Sequence, residues 1–187
     1  NALGTACVAA FTAAMRVKMF FMCALDSLGI AMATYSGQNY GAGKPVRIWQ
    51  GIKSSYVMML VYVAAINIVI WCFAEKFALL FIDPSETEVI KDTALFLHIN
   101  LSFFPLLGSL IILRYTIQGA GYTKLAMFSG VSEMVARIMV SLVVVPLFGY
   151  LGVCYGDPTA LFANLFLTPA FIYVYRRLKL IARPEAA

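Results

Sequence analysis

Long apolar runs alternate with short polar connections along the whole chain. The three runs Ser54 to Ala74, Thr93 to Leu113 and Pro158 to Tyr175 contain no charged side chain. Each has roughly the 20 residues that a helix needs to cross a hydrocarbon core about 30 Å thick. The runs are about twice as long as a barrel strand and lack its alternation of apolar and polar positions. They therefore predict transmembrane helices.

Two further predicted helices, 11–36 and 124–147, contain internal charges. Those charged residues are Arg16, Lys18, Asp26, Glu133 and Arg137. The predicted fold class is all-α, a polytopic membrane helix bundle forming one transmembrane domain over 1–187. Its approximate helices are 11–36, 54–74, 93–117, 124–147 and 158–178.

Composition supports a lipid environment. The chain is 62% hydrophobic and 12% charged, whereas soluble domains are about 45–50% apolar and about 25% charged. A small soluble domain cannot bury that much apolar surface, so the lipid bilayer is the expected partner. The four cysteines form no C-x-x-C pair, and neither a metal site nor a disulfide framework is predicted.

Basic residues collect on one side of the predicted helices. That side carries Lys44, Arg47, Lys53, Lys124, Arg176, Arg177, Lys179 and Arg183. Cytoplasmic loops are enriched in Lys and Arg, so we expect a cytoplasmic C-terminus in a plasma or inner membrane. Five helices then leave the N-terminus outside, and a preceding helix is expected. The basic residues form no single patch, and no nucleic-acid partner is predicted.

Asp26 is the first candidate functional residue. It lies ten residues from the predicted helix end near Ser36, which at 1.5 Å per residue is about 15 Å, the middle of the bilayer. Carboxylates at that depth often mark ion or proton pathways. The alternative is a buried structural pair, or a protonated acid hydrogen-bonded to a neighbouring helix, and the sequence favours neither interpretation.

Glu133 and Arg137 are spaced four residues apart, so they share one helix face and can pair. Asp26 could compete for the same arginine, and the coupled titration of two carboxylates would suit a proton- or sodium-dependent step. A fixed ion pair between helices is the alternative. Arg16, Lys18 and Arg114 are expected near the membrane boundaries, where long side chains extend to the interface.

Prolines interrupt two of the uncharged runs, at Pro105 and Pro169. Each removes a backbone donor and displaces the carbonyl four residues earlier, which predicts a kinked helix. In transporters such breaks often expose carbonyls to substrate or ions, and Asn100 is close enough in sequence to Pro105 to assist. A packing kink is the alternative.

Small residues recur every four positions near the end of the first predicted helix. They are Gly29, Ala33, Gly37 and Gly41, and they predict close approach of another helix. The stretch G-Q-N-Y-G-A-G-K over 37–44 is not a phosphate loop, because Lys44 is followed by Pro45 and the stretch ends a membrane helix. No catalytic motif or cofactor site is predicted.

Four stretches together resemble one known family. They are G-T-A-C-V-A-A-F-T-A-A-M-R over 4–16, A-T-Y-S-G-Q-N-Y-G-A-G-K over 33–44, Q-G-A-G-Y-T-K over 118–124 and G-V-S-E-M-V-A-R over 130–137. In this order and spacing they are similar to the multidrug and toxic compound extrusion (MATE) family of efflux transporters.

The resemblance implies a twelve-helix transporter of two six-helix lobes that exports small organic cations or drugs in exchange for protons or sodium by alternating access. This chain would be the C-terminal lobe without its first helix, and the N-terminal lobe its partner. Some members carry a functional carboxylate in the helix matched by 98–117, where this chain has Pro105 and Leu106. Coupling is therefore expected from the other lobe or from Asp26. The alternatives are a lipid-linked oligosaccharide flippase of the same superfamily and a non-transporting membrane scaffold.

Overall fold

The described part of the chain is almost entirely helical. A computed structural model describes residues 4–156, 169, 172–174 and 176. The longer helices are α1 (Gly4–Gly41), α2 (Pro45–Ala78), α3 (Thr87–Ser102), α4 (Phe104–Gly119) and α5 (Thr123–Met139). A π-helical turn (Val140–Val144) and the short helices α6 (Val145–Phe148) and α7 (Tyr150–Cys154) follow. No strand occurs among these residues, and the predicted all-α fold class is confirmed.

The helices have the length and composition of membrane spans. Three segments, Cys7–Gly41, Pro45–Ala78 and Thr123–Phe148, are long and apolar enough to cross a bilayer. The pair α3 and α4 forms a fourth span if its two bent halves count as one. The predicted fifth helix, 158–178, falls largely outside the described residues.

The first two helices are longer than the 11–36 and 54–74 predicted for them. The first charged residues indicate where a helix leaves the hydrocarbon core. The backbone hydrogen bonds of the helix continue into the polar region until the chain turns. Here the turn is made by Gly43, whose φ of 67° suits a residue without Cβ. Pro45 then begins α2, because the first helical position needs no N–H donor.

Packing divides the described residues into two compact units. The first unit comprises 4–23, 61–105 and 136–156, and the second comprises 24–60, 106–135 and the described residues after 168. The single domain predicted over 1–187 stays a prediction.

In the first unit, α1 packs against α3 through small and aromatic side chains. The Phe11 and Phe96 rings meet edge to face with centroids 5.5 Å apart, a favourable aromatic geometry. The Thr93 hydroxyl donates to the carbonyls of Val89, at 2.7 Å, and Ala10, at 3.3 Å. These contacts fix α3 beside the start of α1.

The predicted kink at Pro105 is confirmed as a break between α3 and α4, whose axes are bent by 49°. The N–H of Phe103, between the two helices, donates to the Asn100 carbonyl at 3.1 Å and closes the last turn of α3. Pro105 is the second residue of α4, where a missing N–H costs little. The Leu101 carbonyl, four residues before the proline, accepts from the Asn67 amide at 3.1 Å.

The Asn67 amide therefore takes the place of the lost backbone donor. We expect Asn67→Ala to lower the free energy of unfolding by about 1–3 kcal/mol. The buried Leu101 carbonyl would lose the hydrogen bond from Asn67 that offsets the cost of its removal from water. Thermal unfolding in detergent measures the change. Asn39→Ala is the matched control, since the Asn39 amide donates only to Tyr35 in its own helix. Equal shifts for the two variants would contradict this role of Asn67.

The π turn at Val140–Val144 interrupts the fourth predicted helix. The Val145 N–H donates to the carbonyl of Val140, five residues earlier, instead of four. Pro146 follows at once, and its ring would otherwise clash with the carbonyl of Leu142. The wider turn relieves that clash. The apolar pattern of the sequence does not predict it.

In the second unit, α1 and α4 approach closely, as the stripe of small residues predicts. A Cβ at Gly37 would lie 3.1 Å from the Gly119 carbonyl oxygen, and a Cβ at Gly119 would collide with the Ala33 backbone. Gly29 lies against two side chains of α4. Gly41 has no neighbour within 4 Å of an added Cβ, so the close contact involves the first three positions only.

Candidate functional site

An ion pair joins α4 to α5 in the second unit. Arg114 Nη2 lies 2.6 Å from Glu133 Oε2, and the two side chains are 25% and 13% exposed. The guanidinium also donates to the Ser129 hydroxyl from Nη2, at 3.1 Å, and from Nε, at 3.3 Å. One cation is therefore held by a carboxylate and a hydroxyl on a membrane-spanning segment.

Helical spacing explains why these α5 groups face Arg114. Ser129 and Glu133 are four residues apart and share one face of α5, and Ser129 is 1% exposed. Arg114 lies five residues from the end of α4, about 7 Å along the axis, whereas Glu133 lies about 15 Å from the start of α5. The guanidinium thus reaches toward the deeper acid.

Two charged residues expected near the membrane boundaries are held within the helix packing. The Arg114 guanidinium binds Glu133 and Ser129. Lys18 is only 7% exposed, because it lies on the same face of α1 as the buried Ala14 and packs inside the first unit. The four-residue spacing from Ser129 to Glu133 could have predicted a polar face on α5. The residue on α4 that contacts this face depends on tertiary packing.

Asp26 lies in the interior of α1, within the second unit. Its side chain is partly buried and makes no hydrogen bond or ion pair within the described part of the chain. A carboxylate in a membrane segment without a partner is a functional candidate by default. The competition of Asp26 with Glu133 for one arginine stays a prediction.

Asn100 lies in the first unit, near the helix break, and is 2% exposed. Its amide nitrogen donates to the carbonyls of Phe96 and Cys154, each at 3.1 Å. Its Oδ1 has no hydrogen-bond partner among the described residues. The Asn100 amide group therefore links α3 to α7 and retains one free acceptor, while the carbonyl released by Pro105 is already satisfied.

Arg137 borders a separate cavity of about 330 Å³ in the first unit. Phe11 and Met15 of α1 and Ser141 of the π turn also line it. The cavity is mostly apolar with one cation at its edge. The predicted pair of Glu133 with Arg137 stays a prediction. The described residues contain no group of three or more His, Cys, Asp or Glu that could hold a metal ion.

Most of the chain matches one known protein family. The MatE family model matches residues 1–143, which include α1 to α5 and every candidate residue named above. The chain belongs to the MatE family. The comparisons with curated proteins and with solved structures found no match.

Membership in the MatE family and the apolar helices together make the chain part of a MATE-type transporter embedded in a membrane. The resemblance inferred from the four sequence stretches is thus confirmed. The Arg114–Glu133 pair and Asp26 are consequently charged groups on the membrane-spanning helices of a transporter.

Proposed function

We propose that this MatE protein is a secondary antiporter that exports small organic cations in exchange for protons or sodium. The chain acts as the C-terminal lobe of a two-lobe transporter in the plasma or inner membrane, with its C-terminus in the cytoplasm. The two lobes would move by alternating access around a shared cavity.

The observation that supports the proposal most is Asp26 in the interior of α1. Its carboxylate has no hydrogen-bond or ion-pair partner within the described residues, unlike Glu133, which is held by Arg114 at 2.6 Å. A carboxylate that no described residue neutralises can bind a proton, a sodium ion or an organic cation. Those ligands are the ones that an exchanger of cations must bind in turn.

Exchange then follows from competition for one negative charge. A proton or sodium ion that neutralises Asp26 removes the attraction for an organic cation and favours its release. Each ligand shifts the conformational population only by its differential affinity for the two states. Glu133 is already neutralised by Arg114, so in this scheme the pair has a positioning role and Asp26 binds the ion.

Ethidium efflux from cells that express the full-length polypeptide tests the proposal. We expect Asp26→Asn to lower the efflux rate at least about fivefold at matched expression, which is the lower end of typical coupling energies. Asp26→Glu keeps the carboxylate and should retain most of the activity. Glu88→Gln, at an exposed position in the first turn of α3, is the control for loss of an acidic side chain.

The outcomes separate the candidate functions. Loss of efflux in Asp26→Asn alone, with its dependence on an imposed proton or sodium gradient abolished, supports the antiporter. Full activity of Asp26→Asn would remove Asp26 from the mechanism. A parent protein that exports no tested cation would contradict organic-cation export and favour the flippase or the scaffold.

A further inference from the structure

A groove of about 510 Å³ runs between α1 and α2 in the second unit. Side chains from both helices line it, with one row on each helix. The lining includes Leu28, Met32 and Tyr35 of α1 and Gln50, Ser54 and Met58 of α2. The two rows follow helical spacing, so each presents a continuous face to the groove.

The lining changes from apolar to polar along the groove. Because α1 and α2 are joined by the short connection at 42–44, residues far from it in sequence form one end, and there Leu28 and Met58 are apolar. Nearer to the connection the lining is Tyr35 and Gln50. The groove thus has an apolar interior end and a polar end on the side of the basic connection.

A cation continues the α2 row at the polar end. Arg47 precedes Gln50, Ser54 and Met58 by three, seven and eleven residues, the spacing of one helix face. Its backbone carbonyl accepts a hydrogen bond from the Tyr35 hydroxyl at 3.1 Å, which places Arg47 beside the polar end of the groove. The Arg47 side chain is exposed, so its guanidinium can bind an anion at this end. Lys44 of the connection adds a second positive charge.

The groove opens on a surface of the kind that faces lipid. Met58 in its wall is 53% exposed, and the neighbouring Val57 and Val61 of α2 are 62% and 67% exposed. Exposed apolar side chains of this kind on a membrane-spanning segment suit contact with hydrocarbon. Acyl chains can therefore reach the groove from the bilayer without crossing a polar barrier.

From this polarity and charge we propose that the α1–α2 groove is a binding site for an anionic phospholipid. One acyl chain would lie along Leu28, Met32 and Met58, and the phosphate would accept hydrogen bonds from Arg47. Basic residues beside membrane helices attract anionic headgroups, and the apolar length of the groove selects a lipid over a free phosphate. The site is separate from Asp26, which lies outside the groove lining, so it does not depend on the antiporter proposal.

Native mass spectrometry of the full chain in detergent tests the site. The chain is titrated with phosphatidylglycerol or phosphatidylcholine of identical acyl chains. We expect phosphatidylglycerol to bind about fivefold more tightly, the effect of one basic residue near an anionic headgroup. Arg47→Gln should remove most of the preference, leaving only the contribution of Lys44, and Arg47→Lys should retain it. Ser54→Phe, which places a ring in the groove, should weaken binding of both lipids.

Lys53→Gln is the matched control, because Lys53 is an exposed cation on α2 that lies off the helix face shared by Arg47 and Gln50 and over the Trp49 ring, 5.7 Å from its centroid. It should leave the lipid preference unchanged. Equal affinity of the parent for the two lipids, an equal effect of Lys53→Gln and Arg47→Gln, or unchanged binding in Ser54→Phe would each overturn the proposal. Arg47→Gln is expected to fold, since the structural contact of Arg47 is made by its backbone.

Discussion

Glu133→Ala is expected to destabilise the protein by about 3 kcal/mol, because it leaves the Arg114 guanidinium in a membrane segment without its carboxylate. Removing one partner of a buried ion pair typically costs about 3–5 kcal/mol, and the partial exposure of both side chains places the effect at the lower end. Glu133→Gln keeps an acceptor for Arg114 and should have a smaller effect. Thermal unfolding in detergent measures both changes.

The double variant Arg114→Met with Glu133→Leu provides the decisive control. Replacing both charges by apolar side chains removes the desolvation cost along with the attraction, so the double variant should be more stable than Glu133→Ala alone. Glu75→Ala, at an exposed position of α2, should change stability by less than about 0.5 kcal/mol. A double variant no more stable than Glu133→Ala would show that the loss does not arise from an uncompensated Arg114.

Gly119→Ala is expected to destabilise the helix contact in the second unit by about 1–3 kcal/mol or more, the usual cost of overpacking. An added Cβ would lie within 3 Å of three backbone atoms of Ala33. Backbone cannot rotate away as a side chain can, so α1 and α4 must separate. The measurement is again thermal unfolding, combined with the yield of monodisperse protein.

Gly130→Ala is the matched control for this substitution. Gly130 lies in α5, and nothing lies within 4 Å of its added Cβ. Alanine has the higher helix propensity, by about 1 kcal/mol, so this variant should be neutral or stabilising. If Gly119→Ala were equally neutral, the close contact between α1 and α4 would not contribute to stability.

Features that depend on local chemistry could be predicted from the sequence. The long uncharged runs predict the membrane helices, because a helix satisfies its own backbone hydrogen bonds in hydrocarbon and the runs are too long for barrel strands. Pro105 predicts the break between α3 and α4, since proline has no backbone N–H to donate. This property does not depend on how the helix packs. The small residues at Gly29, Ala33 and Gly37 likewise predict a close helix neighbour, although they cannot say which helix it is.

Features that depend on tertiary packing could not be predicted. Arg114, nineteen residues before Glu133 and on another helix, contacts Glu133 at 2.6 Å, and no spacing in the sequence indicates this contact. The pair of Glu133 with Arg137 stays a prediction. Asn67 satisfies the carbonyl released by Pro105 from 34 residues away. Neither partner has a periodic relation to the residue it serves, so only the packed helices identify it.

Coupling between organic-cation export and ion import can be measured in proteoliposomes that contain the full-length polypeptide. An outward gradient of ethidium is imposed without any ion gradient, and the lumenal proton and sodium concentrations are followed by fluorescent indicators. We expect ethidium leaving the vesicle to drive protons or sodium inward, and Asp26→Asn to abolish this ion movement. Ethidium efflux with no movement of either ion would contradict coupled export.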